Sequence, residues 1–291
     1  MSSESEPVTP ELLRGWGLPD GGDSKYSRGQ VFVLGGAARS PGAAMLAGTA
    51  ALRVGAGRLT LAVARSVAAE VAVAVPECGV VPLSETDDNH VDGRAAASSS
   101  AVELVNADAV LIGPGLDDLE QTVALLDAVG DRAGANTTLV LDAFALGALS
   151  TRPRLRDRLP ERLVMTPNQE EAALLLGREI GDLTANVAEL AQRFAAAVSC
   201  YGCIAAPDGR VWQIGSGQSG LGTSGSGDVL SGASAGFSAR GVPIERAAVW
   251  GSYVHSVAGD RLAVQVAPLG YLARELLGEL PGVIVEVGRR S

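Results

Sequence analysis

Short apolar runs alternate along the chain with longer segments in which apolar residues recur at helical spacing. Short runs rich in Val, Leu and Ile, bounded by Gly, Pro or Asp, are typical of strands that are buried on both faces of a sheet. The predicted strands are Val31–Leu34, Leu59–Val63, Ala109–Ile112, Leu139–Leu141 and Leu163–Met165. Two further runs, Val198–Ala206 and Arg210–Ile214, flank Pro207-Asp-Gly209 and predict a β-hairpin.

The segments between these runs predict helices, except that Val67–Val75 is either a short helix or a turn. They are Gly42–Val54, Val67–Val75, Asp118–Val129, Gln169–Leu176, Thr184–Ala197, Asp228–Arg240, Ile244–Leu262 and Leu269–Leu280. Alternating strands and helices predict an α/β fold with a mostly parallel central sheet and helices on both faces. In such folds the ligand lies at the carboxyl ends of the strands, which are followed here by Gly35, Gly113, Asp142 and Thr166.

The ends of the chain differ from its middle. Residues 1–24 are polar and contain Pro7, Pro10 and Pro19, so we expect a loosely ordered arm with one short helix at Pro10–Arg14. Residues 25–291 show no Gly-, Pro- or Ser-rich linker that would divide them. They therefore predict one domain.

Composition and charge narrow the class of partner. Hydrophobic residues make up 47% of the 291 residues and the net charge is −10, which argues against nucleic acid or an anionic membrane surface as partner. No apolar run has the length of a membrane helix. Three cysteines, Cys78, Cys200 and Cys203, are too few for a disulfide framework and favour reduced thiols in a cytoplasm. Cys200 and Cys203 have the spacing of a zinc or redox half-site, but no second half-site accompanies them.

The segment Gly220-Leu-Gly-Thr-Ser-Gly-Ser-Gly-Asp228 carries the clearest chemical signal, because it leads directly into a predicted helix. Glycines allow close approach to a ligand, and the start of a helix offers unpaired backbone N–H groups to an anion. Asp228 in that first turn is favoured by the helix dipole and is placed to accept a proton from a hydroxyl group. The alternative is a flexible loop in which Asp228 only caps the helix. The segment is not a P-loop, since no Gly-Lys-Ser/Thr follows.

Gly225-Ser-Gly-Asp228 resembles the G-x-G-D signature of the ribokinase-like superfamily, and Thr223–Gly232 is most similar to that of the NAD(P)H-hydrate dehydratases. Further segments match that family in order along the chain. They are Lys25-Tyr-Ser-Arg-Gly29, Ser40-Pro-Gly-Ala-Ala44, Ala51–Gly57, Ile112-Gly-Pro-Gly-Leu116, Val140-Leu-Asp-Ala143, Met165-Thr-Pro167, Ala205–Gly209 and His255-Ser-Val-Ala-Gly-Asp260. The resemblance implies a ribokinase-like three-layer sandwich.

The same resemblance implies a reaction. Asp228 would be the catalytic base that activates the hydroxyl of hydrated NADH or NADPH towards the terminal phosphate of ADP or ATP, with Mg2+ on the phosphates. The phosphate ester would then eliminate and restore the nicotinamide. The implied substrate contacts are Ala43, Gly115, Asn168 and Asp228, and the implied nucleotide contacts are Gly222, Thr223, Gly225, Ser226 and Gly227. Members of the family often form tetramers, so we expect a homo-oligomer, either a tetramer or a dimer.

The chain departs from the family pattern in three places. The family's Thr-Pro-His becomes Thr166-Pro-Asn168, which creates an Asn168-x-x-Glu171 pattern. That pattern resembles one by which the superfamily's kinases support Mg2+ and phosphate, so Glu171 is an indirect metal candidate; as an alternative, Asn168 and Glu171 form a helix-capping box. The family's nucleotide-binding lysine has no counterpart near Cys200. Its second strand-end aspartate is replaced by Phe144, which leaves Asp142 either to support Mg2+ through water or to close a turn.

These departures leave three hypotheses. The first is a nucleotide-dependent NAD(P)H-hydrate dehydratase. The second is a ribokinase-like kinase of a small alcohol or vitamin precursor, which Asn168-x-x-Glu171 favours. The third is a member that binds nucleotide without turnover, which the missing lysine favours. His255, within a helical run, is expected to be a core or interface residue, and Lys25, the single lysine, is placed either at a phosphate or on the open surface.

Overall fold

The structure, a computed structural model, describes residues 5–217 and 219–288. Its strands are β1 Glu6–Pro7, β2 Gln30–Leu34, β3 Arg58–Ala64, β4 Gly79–Leu83, β5 Ala109–Ile112, β6 Thr138–Leu141, β7 Leu163–Met165, β8 Ala197–Cys200, β9 Cys203–Ala205 and β10 Val211–Gln213. They form a single sheet in the order β1-β10-β9-β8-β7-β6-β5-β2-β3-β4. Within this described sheet, β9 is antiparallel to both of its neighbours and all other pairs are parallel.

The helices lie on both faces of the sheet. They are α1 Pro10–Trp16, α2 Pro41–Arg53, α3 Ala68–Ala74, α4 Gly93–Ser99, α5 Ala101–Asn106, α6 Leu119–Gly130, α7 Phe144–Thr151, α8 Gln169–Leu176, α9 Leu183–Arg193, α10 Ser226–Ala239, α11 Ile244–Gln265 and α12 Ala273–Gly288. Short 3-10 turns occupy Arg65–Val67, Pro153–Arg158 and Ser219–Gly222. The predicted mostly parallel three-layer α/β sandwich is confirmed.

Strand β2 shows how one sheet serves two hydrophobic cores. Successive side chains of a strand point to opposite faces. Val31 and Val33 therefore pack into the core formed with α2, α10, α11 and α12, while Phe32 and Leu34 pack into the core formed with α4, α6, α7, α8 and α9. All four side chains are fully buried, which is why the run shows no polar alternation in the sequence.

The expectation of a loosely ordered arm over residues 1–24 does not match the described part of that arm, while its first four residues lie outside the described residues. β1 pairs with β10, and the Trp212 indole donates a hydrogen bond to Glu6 Oε2 at 2.8 Å. The Trp16 ring packs edge-on against Trp212, and Leu13 is fully buried. The short helix predicted at Pro10–Arg14 is present as α1, whereas the strand was not predicted because it is polar and only two residues long.

The expected hairpin is divided differently by the structure. Val198–Ala206 does not form one strand: the chain reverses at Tyr201 and Gly202, which have φ angles of +48° and +76°, so that β8 pairs with β9. Two central residues with positive φ give the tight turn whose twist matches that of the flanking strands. β9 then pairs with β10 around Pro207-Asp-Gly209 as predicted.

Other elements of the structure also have bounds that differ from the predicted ones. The last helix runs Ala273–Gly288 rather than Leu269–Leu280, and Pro281 lies inside it. Leu276, Leu280, Val283 and Val287 recur on one face and are buried against the core, so packing outweighs the local cost of the proline. Strand β4 and helices α4, α5 and α7 were not predicted.

Candidate active site

The carboxyl ends of β2, β5, β6 and β7 meet at one edge of the sheet and are tied together by their backbones. Beyond β2, the N–H of Gly36 donates to Pro114 O at 2.8 Å. Beyond β6, the N–H of Asp142 donates to Ile112 O at 3.1 Å, and the N–H of Thr166 donates to Leu141 O at 3.2 Å. The strand ends expected to converge are therefore held together at one edge of the sheet, as the parallel topology requires.

The predicted substrate contacts Ala43 and Gly115 are neighbours. Ala43 lies in the first turn of α2, and Gly115 follows β5 with a φ angle of +72°. A methyl group built on Gly115 would lie 3.1 Å from Ala43 Cβ and 2.3 Å from Ser40 O. Glycine is required at this position for both reasons: a side chain would strain the backbone and would collide with the start of α2.

Asp142 is almost completely buried at the end of β6. Its Oδ1 accepts a hydrogen bond from the Thr166 hydroxyl at 3.0 Å. Burial first, and then the negative charges of Glu171 and Asp228, raise its pKa to about 8, while hydrogen bonds from Ser231 and Thr166 oppose the rise. Asp142, Glu171 and Asp228 thus belong to one electrostatic cluster, whereas the sequence offered Asp142 only a water-mediated Mg2+ contact or a turn.

Asn168 and Glu171 form the capping box that was one of the two alternatives for them. Asn168 Oδ1 accepts the Glu171 N–H and Glu171 Oε2 accepts the Asn168 N–H, both at 2.9 Å, so the cap prediction is confirmed. Burial raises the pKa of Glu171, and the hydrogen bond from the Asn168 N–H opposes that rise. The cap and a metal-supporting role can hold together, so the indirect metal role of Glu171 stays a prediction.

Asp228 occupies the third position of α10, directly after the glycine segment. Burial raises its pKa to about 6, so the carboxylate is mainly ionised at neutral pH but holds a proton more tightly than an exposed aspartate. Gly225 caps the helix with a φ angle of +88°, and a methyl group there would lie 2.7 Å from Leu46 Cδ1. The glycine segment is therefore packed onto α2 one turn after Ala43.

The predicted nucleotide contacts divide into two groups. Gly222 and Gly227 are exposed and Thr223 is half-buried, so this side of the segment is open to a ligand. Ser226 is buried instead, and its Oγ lies 2.8 Å from His255 Nε2 on α11. Burial lowers the pKa of His255 to about 4, which keeps the ring neutral. His255 is a core residue, as expected, but it contacts the predicted nucleotide segment.

No basic side chain occupies the turn where the family's lysine was expected. Tyr201 and Gly202 form the tip of that turn, and the Tyr201 ring is 69% exposed. Lys25 lies at the opposite edge of the sheet, before β2, with its Nζ over the exposed ring of Tyr26 at 5.5 Å from the centroid. Of the two places considered for Lys25, a phosphate or the open surface, the structure therefore shows the open surface.

The two cysteines beside this turn have unreactive thiols. Cys200 and Cys203 face each other in the β8–β9 register as free, buried thiols. Burial raises the pKa of Cys200 to about 12 and that of Cys203 to about 11. Across residues 5–217 and 219–288, no group of three or more His, Cys, Asp and Glu side chains is placed to hold a metal ion by itself. The C-x-x-C spacing of Cys200 and Cys203 therefore arises from the β8–β9 hairpin.

A half-buried carboxylate in the first turn of a helix, after an open glycine segment and at the strand ends of a mostly parallel sheet, is typical of the ribokinase-like fold. A ribokinase-like superfamily protein from Enterococcus faecalis shares this fold, with a TM-score of 0.82 at 24% identity over 97% of this chain and 96% of that one. The model of the NAD(P)H-hydrate dehydratase family matches residues 31–282. The chain belongs to the NAD(P)H-hydrate dehydratase family.

Two relatives place the chain within the family. It is similar to the ADP-dependent (S)-NAD(P)H-hydrate dehydratase of Xanthomonas campestris pv. campestris, at 44% identity over 97% of each chain. It is also similar to the ADP/ATP-dependent NAD(P)H-hydrate dehydratase of Bacillus subtilis co-crystallised with ATP and Mg2+. That similarity has a TM-score of 0.81 at 26% identity and covers 97% of this chain and 99% of the other.

Thr166, Ser231 and Asp260 are residues of this region to which the sequence assigned no separate role. The only signal for them was their presence in matching segments, since a hydroxyl that bonds a buried carboxylate leaves no pattern of spacing.

In the described ranges, no helix is long and apolar enough to cross a membrane.

Proposed function

We propose that this chain removes water from hydrated NADH or NADPH at the expense of a nucleoside phosphate. The observation that carries the proposal is Asp228, a half-buried carboxylate with a pKa near 6 at a helix start that an open glycine segment precedes. Such a group is poised to take a proton near neutral pH. ADP is the favoured nucleotide, because the relative that is 44% identical is named as ADP-dependent; ATP is the alternative.

In the first step Asp228 takes the proton of the substrate hydroxyl while the hydroxyl oxygen forms a bond to the terminal phosphorus of the nucleotide. The bond between that phosphorus and the bridging oxygen breaks, so that ADP is converted to AMP, or ATP to ADP. In the second step the bond from the ring carbon to the ester oxygen breaks and phosphate departs with the electron pair. Loss of a proton from the adjacent ring carbon restores the double bond of the reduced nicotinamide.

The glycine segment supports the first step through its backbone. Negative charge grows on the transferring phosphoryl group and its leaving oxygen, and backbone N–H groups at a helix start stabilise such charge. Gly222, Thr223, Gly225, Ser226 and Gly227 are proposed to supply these contacts. Because no lysine lies at the β8 turn, the grip on the phosphates depends more on backbone N–H groups than in relatives that have one.

Mg2+ fits this site as a partly hydrated ion. After burial, the negative charges of Glu171 and Asp228 raise the pKa of Asp142, and a cation bound nearby would relieve that repulsion. Mg2+ usually keeps several waters and uses one or two carboxylates together with phosphate oxygens. Glu171 and Asp142 would hold it through water, and the ion would neutralise charge on the phosphates when bound.

The remaining proposed contacts orient the substrate. Ala43 and Gly115 offer a small, close-packed wall beside the strand ends, where a flat ring can approach the backbone. Asn168 stands where the family has a histidine, and its side-chain oxygen is engaged in the helix cap. Its amide nitrogen is the group left to contact the substrate.

The test is recovery of the reduced nicotinamide. The protein is incubated with hydrated NADH or NADPH, Mg2+ and either ADP or ATP, and absorbance of the reduced ring is followed while AMP, ADP and phosphate are quantified. Recovery with one phosphate released per ring restored supports the proposal. A stable phosphate ester from an alcohol panel would point to the kinase, and nucleotide binding without any turnover would point to the non-catalytic member.

The assembly and compartment are also part of this proposal. We propose a homo-oligomer, a tetramer or a dimer, that works in the cytoplasm, where NADH and NADPH are held. Light scattering coupled to size-exclusion chromatography measures the mass directly. A monomer at micromolar concentration would contradict the oligomer.

A further inference from the structure

The segment His255-Ser-Val-Ala-Gly-Asp260 matches the family in sequence but has no part in the chemistry above. It lies within α11, where residues four apart share one face. His255 and Gly259 form one such pair, and Ser256 and Asp260 form the adjacent pair. This face is turned towards the loop that leads from Gly217 into α10.

His255 holds the end of that loop. Its Nε2 lies 2.8 Å from the hydroxyl of Ser226, the first residue of α10, and both side chains are buried. A buried hydroxyl or ring nitrogen without a partner is costly, so each group fixes the other. The contact therefore joins α11 to the point where the open glycine segment becomes a helix.

Asp260 holds the beginning of the same loop. Both of its carboxylate oxygens accept the N–H of Gly217 at 3.1 Å. Between the two ends, Leu221 packs directly on Gly259, where an added methyl group would lie 2.7 Å from Leu221 Cδ2. Gly217, Leu221 and Ser226 thus each contact the same face of α11.

A second wall closes the inner side of the loop. The buried ring of Tyr271, just before α12, packs on Gly220. The outer side stays open, since Gly222 and Gly227 are exposed. The loop is fixed from within and left free where phosphate would approach.

We propose that His255 and Asp260 are positioning residues that hold Gly217 and the segment 219–226 in their anion-binding conformation before nucleotide arrives. Glycine-rich segments lose much conformational entropy when they are ordered. A loop already ordered by α11 spares the nucleotide that cost, which is the general benefit of preorganisation. That the anion is a nucleotide phosphate rests on the proposed function; that α11 orders the loop does not.

The test uses paired variants of the full chain. His255→Leu and Asp260→Ala remove the two contacts, whereas His255→Gln and Asp260→Asn keep a hydrogen-bonding group in place. Ser252→Ala is the matched control, because Ser252 makes the same kind of buried contact from α11, at 2.6 Å to Ser199 Oγ, but on β8 rather than on the loop. The measurements are the Kd of ADP by calorimetry and amide hydrogen exchange of the loop without nucleotide.

We expect His255→Leu to weaken ADP binding by about tenfold, the usual effect of losing one buried hydrogen bond. Asp260→Ala should weaken it by about three- to fivefold, because the contact of Asp260 with Gly217 is exposed to solvent. Exchange of the loop amides should speed up in both. The Gln and Asn variants and Ser252→Ala should stay within about twofold of the parent protein. Ser226→Ala combined with His255→Leu should be no worse than either alone, because both changes break the same contact.

Kinetics separate positioning from catalysis. If the loop is merely less often in its competent conformation, saturating nucleotide restores it, so the KM for ADP rises while kcat stays within about twofold. Should His255→Leu fail to fold, Ser226→Ala and Asp260→Ala carry the same comparison. Unchanged ADP affinity and loop exchange in these variants, or an equal loss in Ser252→Ala, would overturn the inference. A parent protein that binds neither ADP nor ATP refutes the proposed function, and loop exchange then decides the positioning role alone.

Discussion

Two groups of buried or half-buried titratable side chains lie at the same edge of the sheet and differ in what burial does to them. The carboxyls of Asp142 and Asp228 have pKa values of about 8 and about 6, whereas the thiols of Cys200 and Cys203 have values of about 12 and about 11. Burial is the largest cause of the rise in all four. Burial raises the pKa values of the carboxyls from the acidic range to near neutral pH, whereas it raises those of the thiols further above neutral pH.

The contrast shows that a perturbed pKa marks a site only together with its starting value and its surroundings. Asp228 stands in the first turn of a helix beside exposed glycines, so its proton can reach a ligand. Cys200 and Cys203 face each other inside a two-residue hairpin and are closed off by packing. The same desolvation thus yields a proton acceptor in one place and inert thiols in the other.

The largest effect is expected for Asp228→Asn. The amide cannot take a proton, so kcat for recovery of the reduced nicotinamide should fall by about 100- to 10,000-fold, the usual contribution of general base catalysis. ADP affinity, measured by calorimetry, should stay within about threefold because the backbone of the loop is unchanged. An equal loss of affinity and turnover would make Asp228 a structural cap.

The acid limb of the pH profile is the next largest effect. Asp228 must be ionised to act as a base, and its pKa is raised to about 6. kcat/KM should therefore fall by about tenfold for each pH unit below that value and be flat above it, until another group titrates. ADP binding measured at the same pH values is the control. A limb near pH 4 would mean that Asp228 is not desolvated in the free enzyme.

Asp142→Asn should change the pH dependence of stability. Its folded pKa is raised to about 8, so between the unfolded value and pH 8 the folded chain binds more protons, and the parent protein loses stability as pH rises. Asparagine keeps the neutral shape and can still accept the Thr166 hydrogen bond.

Measured by denaturant unfolding without nucleotide or Mg2+, the variant should therefore gain stability relative to the parent between pH 5 and 8. The gain should be at most about 1.4 kcal/mol per pH unit and should level off above pH 8. Parallel stability curves for the two proteins would show that Asp142 is ionised in the folded chain at neutral pH.

The fold was largely predictable from the sequence, because its strands are buried on both faces and so appear as uninterrupted apolar runs. Val31–Leu34 and Ala109–Ile112 are such runs, and the glycines and Asp142 after the strands located the cleft edge. The N-terminal strand was missed because it is short and polar and depends on a distant partner, Trp212. The turn at Tyr201 was missed because a non-glycine residue with positive φ leaves no signal in the sequence.

The site was predictable only in part, for a different reason. Glycine spacing and a helix start identify Asp228 without a structure, and capping preferences identify Asn168 with Glu171. The contact between Ser226 and His255 spans 29 positions and joins two helices, so only packing reveals it. The same holds for Thr166 and Asp142, whose hydrogen bond depends on strands β6 and β7 being neighbours.

The smallest effect is expected for thiol modification. With pKa values of about 12 and about 11, Cys200 and Cys203 carry almost no thiolate at pH 8 and should resist a maleimide reagent in the folded protein. Cys78 is only half-buried and should be the thiol that reacts, so Cys78→Ser should nearly abolish labelling while leaving kcat within about twofold. In denaturant the parent protein should label at all three cysteines. Rapid labelling of Cys200 in the folded chain would show that the hairpin opens, and the contrast between inert thiols and active carboxyls would then fail.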